Sequence, residues 1–98
     1  MFENITIKDE EILKDRQAQY GCPKEFFKTY GEMCRLLDAY AETSDQESIC
    51  EGKLVALKLA LLKIVRAAWN PTLTDSYQDA RNYITIAEMI PMNQNKSK

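Results

Sequence analysis

The hydrophobic pattern of this chain is helical from end to end, and one stretch departs from the rest by being apolar on every side. Along Lys53 to Trp69, Leu54, Leu57, Leu61, Ile64, Val65 and Ala68 cover one side of a helix. Val55, Ala56, Leu59, Ala60 and Ala67 cover the remainder. At about 100° per residue this leaves no polar stripe, which predicts a helix buried at the centre of a bundle. Upstream, Phe26, Phe27, Tyr30, Met33, Cys34, Leu37, Tyr40 and Ala41 recur at the spacing of one broad apolar face, with Lys24, Glu25, Lys28, Glu32 and Arg35 opposite. A first helix is expected from near Thr6 or Asp9, with Ile12, Leu13 and Tyr20 inward and Gly21 as a left-handed stop. Pro23 suits the first position of the next helix. Ser48 with Glu51 reads as a capping box for the central helix, and Asn70–Pro71 as its end. A last helix runs from Thr74 or Asp75 to about Ile90, with Gln78 completing a second box and Tyr77, Ala80, Tyr83, Ile84, Ala87 and Ile90 inward. Pro91 stops it, and nothing alternates with period two. The expected fold is all-α, a four-helix bundle built around residues 53–69, in a single domain (1–98) with its core at about 6–90 and a disordered tail at 91–98.

Composition narrows the function classes. With 13 basic and 15 acidic residues the net charge is −2, so nothing suggests nucleic-acid binding. No apolar run is long enough to span a membrane or serve as a secretory leader, which points to a cytoplasmic protein. Cys22, Cys34 and Cys50 are an odd set without CxxC spacing, and there is no histidine, so neither a zinc site nor a disulfide framework is expected. Cys34 falls on an apolar face; Cys22 and Cys50 stand near helix starts, with no histidine to serve as a base. A helix apolar all round needs neighbours on every side, and three others of this length leave part of it uncovered. The chain is therefore expected to self-associate.

Candidate chemistry gathers where charge interrupts the apolar helices. Lys63 and Arg66 stand three apart and project together, whereas Lys58 lies on a different side. Asp75 and Asp79 are four apart on the last helix, and the short connection makes the two helices antiparallel neighbours, so Lys63 and Arg66 can face Asp79. Two readings follow: a bridge from Asp79 to Arg66 that fixes helix docking, or a polar pocket shared with Arg16, in which cations take phosphate oxygens and an aspartate holds a sugar hydroxyl or a metal ion.

The elements Arg16-x-x-x-Tyr20-Gly21-x-Pro23-x-x-x-Phe27, Leu62-Lys63-x-x-Arg66 and Asp75-x-x-x-Asp79-x-x-x-Tyr83 resemble a family of short phage and prophage proteins of unassigned function. That family is similar to the MazG-like nucleotide pyrophosphohydrolases. The resemblance covers about residues 12 to 90 and implies a nucleotide site made by Arg16, Tyr20, Lys63, Arg66, Asp75, Asp79 and Tyr83. Such enzymes hold magnesium with Glu-Glu-x-x-Glu and Glu-x-x-Asp elements, and this chain has neither, so no cofactor or metal is expected and binding is favoured over hydrolysis. The leading expectation is a phage-type protein, at work in the host cytoplasm, that binds a nucleotide or nucleotide-derived ligand and sequesters a host signal. A divergent magnesium-dependent pyrophosphohydrolase and a non-catalytic structural or protein-interaction module are the alternatives.

Overall fold

In the computed structural model the described residues are 11, 12, 14, 15, 18 and 21–92. They contain three helices and no strand: α1 (Pro23–Ala41), α2 (Glu51–Trp69) and α3 (Thr74–Met89). Glu11, Ile12, Lys14, Asp15 and Ala18 also have helical backbone. The expected start of a first helix at Thr6 or Asp9, its inward residues Leu13 and Tyr20, and the tail from residue 93 lie outside the described residues. A four-helix bundle is therefore not what the described residues form; they make an antiparallel α2/α3 pair with α1 on its other side.

The joints between helices follow the punctuation in the sequence. Gly21 has φ 87°, the left-handed conformation in which a side chain is strained, and Pro23 opens α1. α2 ends at Trp69, where Asn70 precedes Pro71. The Asn70 Oδ1 atom then accepts from the Thr72 backbone N–H at 3.3 Å and from its hydroxyl at 2.8 Å, which folds the connection into a tight turn.

Neither expected capping box forms. α2 starts after Cys50 rather than Ser48, and no side chain caps it. Cys50 is buried, with its thiol donating to the Pro91 carbonyl at 3.4 Å, so burial against the chain beyond α3 sets the helix start. α3 starts after Leu73, without a cap from Thr74 or Asp75. Gln78 pairs instead along its own helix, accepting from Arg81 and donating to Asn82, each at 3.0 Å.

The α2/α3 contact is made by small residues. Ala56 and Ala60 of α2 and Ser76 and Ala87 of α3 are buried, which lets the two backbones approach closely. Lys53 ties one end of the pair: its Nζ donates to the Ala87 carbonyl at 2.7 Å and reaches that of Glu88 at 3.4 Å, placing a cation on the negative end of α3.

Lys58 of α2 holds α1 twice. The Tyr30 hydroxyl donates to the Lys58 carbonyl at 2.8 Å, and the Lys58 ammonium lies 2.9 and 3.0 Å from the two carboxylate oxygens of Asp38. Burial holds the Tyr30 phenol protonated, pushing its pKa up to about 12, and the neighbouring Cys34 adds to the effect.

The expectation of a buried central helix is corrected. In α2 only Ala56 and Ala60 are buried, while Val55, Leu59, Ile64 and Trp69 are exposed. The broad face of α1 is likewise open: Phe26 is buried, but Phe27, Met33 and Tyr40 are exposed, and Cys34 is only half-buried. The physical reason is the arrangement in a row. With α1 on one side of α2 and α3 on the opposite side, two flanks of the apolar helix have no helix from this trio over them.

Candidate functional site

Of the residues singled out for a ligand site, the structure brings Lys63 of α2 and Asp79 of α3 into contact. The Lys63 ammonium lies 3.1 Å from Asp79 Oδ2, joining the middle of the two helices. Lys63 is mostly buried and Asp79 about two-fifths exposed, so the pair sits at the rim of the α2/α3 seam. The expected bridge from Asp79 to Arg66 is replaced by this one. Arg66 turns to α1, where its guanidinium carbon stands 5.4 Å from the centre of the Phe26 ring. That contact orients the planar cation and gives Phe26, read from sequence simply as core, a second use.

Asp75, Asp79 and Tyr83 follow one another at four-residue spacing along α3, so they occupy one side of it. Asp75 lies exposed in the first turn, Asp79 is at the seam, and Tyr83 is half-buried. Arg16 and Tyr20 lie outside the described residues. Geometry distinguishes this cluster. At the seam the Lys63 ammonium is matched to the Asp79 carboxylate.

Asp79 is committed to Lys63, and among the described residues no group of three or more His, Cys, Asp or Glu side chains is placed to hold an ion.

A separate cleft of about 310 Å³ lies between α1 and α2, lined by Cys22, Glu25, Phe26, Thr29, Val65 and Ala68 together with Trp69. Ala68 stands about 160° around α2 from Arg66 at 3.6 residues per turn, so the cleft opens on the flank away from the charged cluster. Gly21 packs on the Trp69 indole so tightly that a Cβ there would fall 2.9 Å from a ring carbon.

The residues that sequence reasoning missed are Lys53 and Lys58, which do the docking expected of Arg66. Their signal was the antiparallel register, which sets Lys53 against the last turn of α3.

A family described as "Domain of unknown function (DUF6378)" matches residues 5–91. The chain belongs to this family. Neither a curated protein nor a solved structure matches it. Among the described residues no helix is long and apolar enough to cross a membrane. The DUF6378 match spans all the sequence elements described above, from Arg16 to Tyr83.

Proposed function

We propose that this DUF6378 protein binds a nucleotide or nucleotide-derived ligand on the flank of α2 and α3 that carries Lys63, Arg66, Asp75 and Asp79. The observation that supports the reading is the arrangement of Lys63 against Asp79 at 3.1 Å, with Arg66 one turn along α2 laid over Phe26. A guanidinium offers five donors in a fixed plane and takes two phosphate oxygens at once, while an ammonium acts as a point charge on a third. Asp79 holds Lys63 in place until phosphate displaces it, and Asp75, exposed one turn earlier, is positioned to accept from a sugar hydroxyl. The resemblance to MazG-like proteins leads to the same ligand class. No metal-dependent step is part of this reading, because Asp79, the carboxylate at the seam, is matched by Lys63.

The test is a thermal-shift panel of nucleotides, cyclic dinucleotides and NAD-derived molecules against the wild type and Arg66→Ala. A member of the panel should raise Tm in proportion to the logarithm of its concentration, and Arg66→Ala should abolish the rise. A flat response to every compound at millimolar concentration, or an undiminished response in Arg66→Ala, would refute the proposal.

A further inference from the structure

Among the described residues, the flank of the helix layer opposite the charged cluster carries a series of exposed apolar side chains. On α2 it carries Leu57 and Ile64, seven residues apart and therefore in line, with Ile64 49% exposed. On α3 the matching pair is Tyr77 and Ile84, again seven apart and both exposed. These stripes meet, because Leu57, Ile84 and Ala87 line one shallow groove whose rim is Lys53 and Glu88. On α1, Met33, Leu36 and Tyr40 follow Thr29 at spacings of four, three and four, and Tyr40 is 80% exposed. Thr29 lines the α1/α2 cleft together with Ala68, which places the α1 stripe on the same flank as Ile64.

We propose that a second copy of this chain packs on this flank, forming a symmetric dimer in which α2 of each subunit gains the cover it lacks. Three features favour a second copy over a different partner. The first is the missing core: among the described residues no large side chain is fully buried, so the cover must be present whenever the chain is folded. A second copy meets that condition by itself. The second is chemistry, since the stripes are mainly apolar, with Arg81 beside Tyr77 and Ile84 and with Lys53 and Glu88 of opposite sign on one groove, and a two-fold contact of such a surface with itself is self-complementary. The other flank, with Lys63, Arg66 and Asp79, would have to desolvate charges. The third is area. Helices about 24–28 Å long, set about 10 Å apart, present a face of roughly 700 Å², close to the ~800 Å² per partner of a stable complex. The α1/α2 cleft opens on the same face, so the dimer would also roof it.

Sedimentation equilibrium at micromolar concentration tests this. The wild type should run at twice the 11.3 kDa chain mass. Ile64→Glu should shift it to the single-chain mass, and Leu59→Glu, exposed on the opposite flank, should leave the dimer intact. Should Ile64→Glu fail to fold, a photo-crosslinking phenylalanine analogue in place of Tyr77 should give a covalent dimer, and the same analogue in place of Val55 should not. A wild type at 11.3 kDa, a dimer broken by Leu59→Glu and not by Ile64→Glu, or crosslinks from position 55 alone would each overturn the proposal. Nucleotide binding is read independently, so either proposal can fail without the other.

Discussion

Gly21 and Gly31 separate two meanings of glycine within one segment. Gly21 has a positive φ and the Trp69 indole where a Cβ would go, whereas Gly31 lies in the middle of α1 with nothing within 4 Å of such an atom. Gly21→Ala should therefore destabilise by about 1–3 kcal/mol, combining backbone strain with displacement of the indole. Gly31→Ala should stabilise by about 0.5–1 kcal/mol, because alanine forfeits less chain entropy in an exposed helix. Chemical denaturation of the two variants checks both signs. The left-handed stop at Gly21 was legible in the sequence from its place before Pro23; the indole against it was not, because a contact across 48 positions has no local pattern. Tyr30 gives a prediction in pH. Its folded pKa, about 12, lies above the ordinary 10.0, so the unfolded chain loses the phenolic proton first. Its contribution is thus complete below pH 10.0 and is lost as pH rises through about 12. Tyr30→Phe should cost about 1 kcal/mol at neutral pH through the lost hydrogen bond to Lys58. It should also flatten the alkaline fall in stability over that window, and denaturation curves at a series of pH values read out both effects.

At the scale of elements, helix existence was legible and helix surroundings were not. The apolar spacing of residues 53–69, the Asn70–Pro71 break and the Pro23 start correspond to α2 and α1 within a residue or two. The capping boxes did not form because the burial of Cys50 and the turn held by Asn70 outweigh a local side-chain bond. An apolar circumference reports that a helix wants cover, but periodicity cannot say which neighbour supplies it. The same limit applies to charge. Lys63 and Asp79 were correctly set face to face by the short connection between their helices, yet the expectation of a buried bridge to Arg66 required a depth that the seam lacks. With Asp79 about two-fifths exposed, the pair is worth little. Asp79→Asn should cost at most about 1 kcal/mol, as a solvent-screened pair does, and not the 3–5 kcal/mol of a stranded buried charge. Thermal unfolding of Asp79→Asn beside the wild type distinguishes the two ranges.

The whole molecule is a layer with two unlike flanks, one carrying Lys63, Arg66, Asp75 and Asp79, the other Leu57, Ile64, Tyr77 and Ile84. This division follows from α1 and α3 lying on opposite sides of α2, a feature of topology that no single segment encodes. It gives the proposed ligand site and the proposed subunit contact separate surfaces. An amide NMR titration with the nucleotide that most raises Tm tests the ligand claim most directly. The account predicts saturable shifts centred on Lys63, Arg66, Asp75 and Asp79, with Ile64 and Ile84 little affected. Shifts centred on Ile64 and Ile84, or none at any position at millimolar nucleotide, would contradict it.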